Sequence, residues 1–130
     1  MAKYLEGKNI AITGAGSGIG KAIALAVAAE GANIVVADYG VALDGSEPTS
    51  EIADAVAQEI KSLGVEAEAI AGDVSEMVTG AEVVDASIKR WGSIDGVVCV
   101  AGILRERMLF NMSEEEWDAV IAVHLKGHFT

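Results

Sequence analysis

Thr13-Gly14-Ala15-Gly16-Ser17-Gly18-Ile19-Gly20 decides how this chain folds. It follows a short apolar run, Ile10-Ala11-Ile12, and opens into an apolar-periodic segment from Ile19 to Ala29, so it reads as the turn between a strand and a helix. Four glycines in seven residues serve the backbone, because glycine permits positive φ and leaves no Cβ between the main chain and a ligand. The helix that follows offers unpaired N–H groups and roughly half a positive charge at its start. Together these features predict an anion site, of the kind that holds a phosphate or pyrophosphate.

The spacing of the glycines narrows the class. The dinucleotide fingerprint Gly-x-Gly-x-x-Gly would need glycine at Ile19 if it began at Gly14, and at Ile23 if it began at Gly18. A P-loop does not fit the pattern, because Gly20-Lys21 is followed by Ala22 rather than serine or threonine. Thr-Gly-x-x-x-Gly-x-Gly fits, carried by Thr13, Gly14, Gly18 and Gly20. That pattern resembles the short-chain dehydrogenase/reductase family.

Composition sets the outer bounds. A chain of 130 residues makes one domain at most and buries about two-thirds of its unfolded surface. A hydrophobic content of 52% and a mean hydropathy of +0.39 exclude disorder. No apolar run reaches the length of a membrane span, and Met1-Ala2-Lys3-Tyr4-Leu5-Glu6 lacks the apolar core of a signal segment. The single cysteine, Cys99, falls in a predicted strand, can form no internal disulfide and fits a reducing compartment. A soluble, cytoplasmic protein is expected. The net charge of −11 disfavours nucleic acid and anionic membranes as partners, so any phosphate must be held by local backbone dipoles.

Strand and helix then alternate. The first strand is expected over Asn9 to Thr13 and the first helix from Gly18 to Glu30, with Ile19, Ile23 and Val27 on one face and Gly31 as the stop. Asn33 to Asp38 follows as a continuous apolar strand, which suits burial on both faces. Tyr39 to Ser50, with Asp44-Gly45-Ser46 and the only proline, Pro48, reads as a long loop. A second helix from Thr49 or Ser50 to Leu63 is stopped by Gly64, and in the third strand, Val65 to Ala71, Glu66 and Glu68 alternate with small apolar residues as on a sheet edge.

After the turn Gly72-Asp73-Val74-Ser75, with Ser75 as a cap, a third helix runs from Glu76 to Trp91 and a fourth strand from Ile94 to Val100. A mixed loop over Ile103 to Met112 leads to Ser113-Glu114-Glu115-Glu116, a capping-box pattern that opens a fourth helix reaching Lys126. This alternation predicts an α/β fold of the Rossmann type, a doubly wound parallel sheet. With right-handed crossovers the strand order is 3-2-1-4. Ligands in such sheets bind at the C-terminal strand ends where the order reverses, between strands 1 and 4.

Four groups of residues should meet there. Asp38 lies 18 residues beyond Gly20, where an acidic side chain can accept hydrogen bonds from the adenosine ribose hydroxyls and repel a 2′-phosphate. NAD is therefore expected over NADP. Ser17 and Tyr39, neither of them basic, point the same way.

The resemblance implies more. Asp73-Val74 matches the family's aspartate that contacts the adenine amino group, although Asp73 alone would be read as a turn or cap residue. Ala101-Gly102 resembles the end of the family's Asn-Asn-Ala-Gly motif, with Cys99 and Val100 in place of the asparagines. Cys99 itself reads as a buried strand residue rather than a nucleophile. The expected cofactor set is thus Gly14, Ser17, Gly18, Ile19, Gly20, Asp38, Tyr39, Asp73, Val74, Ala101 and Gly102.

Val123-His124-Leu125-Lys126-Gly127 resembles the family's Val-Asn-Leu-x-Gly segment, which puts His124 at the asparagine of the catalytic tetrad. A core-facing histidine on the stripe of Trp117, Val120 and Ile121 is the alternative. His124 and His128 lack a third ligand, so no metal site is expected. The family's serine and Tyr-x-x-x-Lys pair would follow the fourth helix. The only such spacing here is Tyr4 to Lys8, ahead of the first strand.

Residues 1–130 are accordingly read as a single cofactor-binding domain, truncated before strand 5, of an NAD-dependent enzyme. The implied reaction is hydride transfer between a secondary alcohol and a ketone. The 39–50 loop and the Val-His-Leu-Lys-Gly segment resemble members acting on 3-hydroxyacyl or 3-oxoacyl thioesters. A non-catalytic nucleotide-binding fragment or interaction module is the rival reading. The resemblance also implies a homo-oligomer formed through the fourth helix and the C-terminal half.

Overall fold

The computed structural model describes residues 3–42 and 48–130. Asp44-Gly45-Ser46 of the expected long loop lies outside the described residues. Strand β1 (Asn9–Thr13) leads into helix α1 (Gly18–Ala29), and β2 (Asn33–Ala37), α2 (Glu51–Lys61), β3 (Ala67–Ile70), α3 (Met77–Trp91) and β4 (Gly96–Cys99) follow in alternation. The four strands form one sheet in the order β3-β2-β1-β4, with every neighbouring pair parallel. This is the expected order. Ile12 stands opposite Val36 on one side and Val98 on the other, so the register aligns the C-terminal ends of all three strands.

Both faces of the central strands are covered. Side chains alternate across a strand, so Ile12, Ile34 and Val36 turn to one face and pack with Ala24 and Ala28 of α1 and Ala53, Val56 and Ile60 of α2. Ala11, Val35 and Ala37 turn to the other and meet Val83 of α3. Each fully buried isoleucine contributes on the order of 1.5–3 kcal/mol, and Ile12, Ile34 and Ile60 are all fully buried. The N-terminal edge of the sheet is held by polar groups instead. Asn9 donates from its side chain to Ser93 Oγ at 2.9 Å and accepts from Asn33 Nδ2 at 3.0 Å, while its backbone N–H donates to Asp95 at 2.8 Å.

Several expectations need correction. The fully buried stripe of α1 is Gly20, Ala24 and Ala28, with Ile23 and Val27 half-buried against the core and Ile19 outside it. Small residues let the helix lie close on the sheet, and Ile19, 73% exposed, is left at the helix start beside the turn. Ser75 does not cap α3, whose N-cap is Glu76; its hydroxyl donates instead to Asp73 Oδ1 at 2.8 Å. Cys99 is exposed rather than buried. It shares the α3 side of the sheet with Ala11 and Ala37, but α3 packs against β1, β2 and β3, and β4 forms the sheet edge beyond it. Strands 3 and 4 each begin two residues later and end one residue earlier than expected, since ladder pairing covers fewer residues than the sequence pattern does.

The fourth helix also differs. Helix α4 spans Glu114–Ile121, the chain passes through a π-helical turn over Ala122–Lys126, and a last α-helical turn, α5 (Gly127–Phe129), follows. Single-turn π insertions of this kind are rare within α-helices and occur frequently at functional sites. His124 lies in this turn, and its contact is described below.

Candidate functional site

The glycine turn is shaped by contacts that only glycine permits. Gly14 has a φ of 67°, and a Cβ there would lie 2.6 Å from the backbone N of Ala101. At Gly14 the backbone after β1 therefore lies directly against the backbone after β4. A Cβ on Gly20 would collide with the carbonyl oxygen of Gly14. Gly18 is the contrasting case, with a φ of 52° and no atom within 4 Å of where a Cβ would stand. Its outer side is open to a ligand. The first turn of α1 carries no acidic side chain and Ser17 makes no side-chain cap, so the helix start keeps its positive character.

Thr13 fastens the opposite wall. Its buried hydroxyl accepts hydrogen bonds from the backbone N–H groups of Val100 at 3.2 Å and Ala101 at 3.3 Å. Asp38, just past β2, accepts from the Gly16 N–H at 2.8 Å through Oδ2 and from the Gly40 N–H at 2.7 Å through Oδ1. Asp73, past β3, uses Oδ1 twice, accepting from the backbone N–H and the hydroxyl of Ser75. Among the described residues Asp73 Oδ2 accepts no hydrogen bond.

These pieces enclose one cleft of about 430 Å³ at the C-terminal ends of the strands. All eleven positions expected to bind the cofactor line it: Gly14, Ser17, Gly18, Ile19 and Gly20 from the turn, Asp38 and Tyr39, Asp73 and Val74, and Ala101 and Gly102. Ala119, Ala122 and Val123 close it from the helical side, and Arg105 adds a cation to the lining. Those four were not singled out from sequence. The spacing of 119, 122 and 123 on a helix, small residues on one face, is the signal that could have found three of them.

His124 is not in this lining. Its Nε2 lies 2.9 Å from the carbonyl oxygen and 3.2 Å from the backbone N of Ile103. The ring covers Gly102, where a Cβ would stand 2.6 Å from Cε1. The imidazole thus ties the π turn to the loop after β4, while its neighbours Ala122 and Val123 face the cleft. It sits neither inside the core nor in the cleft.

The sequence pattern of the short chain dehydrogenase family matches residues 8–130. The chain belongs to that family. Similarity to individual short-chain dehydrogenases is high. A hydroxyacyl-CoA dehydrogenase of Mycobacterium tuberculosis is 52% identical over 125 residues, covering 96% of this chain and 38% of the relative. A 3-oxoacyl-acyl-carrier-protein reductase of Staphylococcus epidermidis is 39% identical over 122 residues, covering 94% of this chain and 47% of its own length. The crystal structure of a short chain dehydrogenase from Mycobacterium avium superposes with a TM-score of 0.86 at 50% identity, over 96% of this chain and 43% of that one. The chain therefore spans less than half the length of each of these relatives.

Proposed function

We propose that this chain is the NAD(H)-binding part of a short-chain dehydrogenase that interconverts a secondary alcohol and a ketone, with a 3-hydroxyacyl or 3-oxoacyl thioester as substrate. The observation that carries the reading is the position of Asp38. A carboxylate fixed by two backbone N–H groups stands in the cleft beside the open turn, and no basic side chain adjoins it at Ser17 or Tyr39. Such a group accepts hydrogen bonds from ribose hydroxyls and opposes a 2′-phosphate.

The residues present suit a dinucleotide. Gly18 leaves room for a pyrophosphate at the start of α1, where backbone N–H groups and the helix dipole hold anionic oxygens. Asp73 Oδ2 is left to accept from the adenine amino group. Ala101 and Gly102 bring bare backbone to the far end of the cleft. When bound, NAD accepts or returns a hydride. The chain's own part is to bind it, to orient it through Asp38 and Asp73, and to keep one face of the cleft lined by Ala119, Ala122 and Val123.

His124 occupies the sequence position of the tetrad asparagine, and its imidazole is engaged with Ile103, so its contribution to the reaction is made through the backbone of the π turn. The thioester substrate is supported by the hydroxyacyl and oxoacyl relatives. The exposed apolar side of α4 and the loop before it supports assembly through that face, in a reducing compartment that leaves Cys99 as a thiol.

The test is a pair of fluorescence titrations with NADH and NADPH on the full-length protein and on Asp38→Ala. The unaltered protein should prefer NADH, and the variant should lose about tenfold or more of that preference, the size of one or two charge-assisted hydrogen bonds. Equal preference before and after the substitution would remove Asp38 from the ribose site.

A further inference from the structure

Gly16 falls on an unspecified position of the Thr-Gly-x-x-x-Gly-x-Gly pattern, and its φ lies outside the left-handed region. Its backbone could accommodate alanine. Space is what forbids it. A Cβ on Gly16 would stand 2.7 Å from Asp38 Oδ2 and 2.8 Å from Asp38 Cγ, and would collide with Cγ2 of Ile52 in the first turn of α2. The same residue donates its backbone N–H to Oδ2 at 2.8 Å.

The carboxylate is thus bracketed. Gly16 holds Oδ2 from the turn after β1, and Gly40 holds Oδ1 from the loop after β2. Gly40 has a φ of 68° and a Cβ there would collide with the carbonyl oxygen of Thr49. The Gly40 side cannot yield to a displaced Asp38 without breaking its own contact with Thr49, whose N–H donates to the Gly40 carbonyl at 3.2 Å. A Cβ at position 16 therefore takes space that the carboxylate occupies, and Asp38 Oδ2 must shift to admit it.

We infer that Gly16 is a specificity-determining residue: the absence of its side chain keeps the Asp38 carboxylate where it selects a ribose 2′-hydroxyl over a 2′-phosphate. The inference rests on the NAD reading above and adds a residue that does not itself touch the distinguishing group. Ile52 takes part only by filling the space above Gly16. A substitution at position 16 weakens NADH binding through the displaced carboxylate and relieves the repulsion that opposes NADPH.

Dissociation constants for NADH and NADPH, measured by fluorescence titration on the full-length protein, give the readout. Gly16→Ala should lower the NADH-over-NADPH preference by about tenfold or more, approaching Asp38→Ala. Ile52→Ala should leave the preference unchanged. In an Asp38→Ala background, Gly16→Ala should shift it no further, the non-additivity expected when two residues act through one group. If Gly16→Ala fails to fold, the double variant Gly16→Ala/Ile52→Ala, which removes the collision with Cγ2 and leaves only the contact with Asp38, carries the same expectation.

A loss of affinity equal for both cofactors in Gly16→Ala, with Asp38→Ala still narrowing the preference, would make Gly16 a structural residue and overturn the inference while leaving the NAD reading intact. An Asp38→Ala variant that keeps the full preference would overturn both.

Discussion

Thr13 ends β1 with its hydroxyl turned toward β4, where it accepts from Val100 and Ala101. The Val100 N–H has a second acceptor in the Thr13 carbonyl at 3.2 Å, whereas the Ala101 N–H relies on the hydroxyl among the described residues. Replacing Thr13 by valine keeps the shape and strands one part-buried donor. We expect Thr13→Val to cost about 1–3 kcal/mol in urea denaturation and to weaken NADH binding through the loosened Ala101-Gly102 wall, with Thr13→Ser close to unaltered. A stability within about 0.5 kcal/mol of the unaltered protein would show that the hydroxyl is dispensable. At this scale the glycines that need positive φ were legible from spacing alone, since the φ of Gly14 and of Gly18 answers to the local turn. Gly16 was not, because its constraint comes from Asp38 and Ile52, far along the chain. His124 was half legible. Its place in the segment could be read, but which way the ring turns depends on Ile103.

Helix α4 shows how an element can be readable at one end and not at the other. At its start, Ser113 Oγ accepts from the Glu116 N–H at 3.2 Å, and the Glu116 carboxylate accepts from the Ser113 N–H at 2.9 Å. The pattern Ser-x-x-Glu announces this box because all its atoms lie within four residues. At its other end the π turn carries His124, whose ring meets the loop after β4, a contact no local pattern encodes. The same locality explains why strand existence and order could be read while strand ends could not. The Ser113 N–H and, after it, the Arg107 guanidinium, whose Nε lies 2.7 Å from Oε1, hold the Glu116 carboxyl below its ordinary value. A carboxyl whose folded pKa is lowered adds stability that is complete above its unfolded value and is lost as pH falls through the folded one. Hydrogen-exchange protection over 114–121 should therefore drop as the solution is taken from neutral pH into the acid range below the ordinary carboxyl value, and the drop should be absent in Glu116→Gln. Ser113→Ala should lower protection of the same segment at neutral pH, with a cost of about 1 kcal/mol. Protection that is flat with pH in the unaltered protein would separate Glu116 from the helix start.

The molecule as a whole has three unlike sides. The N-terminal strand ends are closed by the Asn9, Asn33 and Ser93 hydrogen bonds, the C-terminal ends carry the cleft, and the β4 side presents apolar surface. Val97, Leu104, Met108, Leu109, Phe110, Trp117, Leu125 and Phe129 are all more than half exposed there and along the adjoining helix, with Phe110 at 79%. The β3 edge is treated differently. Arg90 spans Glu66 and Glu68 at 3.0 and 3.5 Å, and Trp91 donates its indole N–H to Glu66, so charge blocks that strand from pairing with another chain. Two forces then compete when the 130-residue chain is prepared by itself. Apolar contact on the β4 side favours association, and a net charge of −11 opposes it through repulsion that reaches about 10 Å at 0.1 M salt and about 3 Å at 1 M. Association should therefore increase with ionic strength, the reverse of what salt-bridged contacts would do. Sedimentation velocity at low and at high sodium chloride is the measurement, with Leu109→Ser/Phe110→Ser as the variant that lowers association at both. A chain that remains monomeric at every salt concentration, and that leaves a hydrophobic dye dark, would mean that the apolar side is closed by the chain's own rearrangement rather than by a second surface.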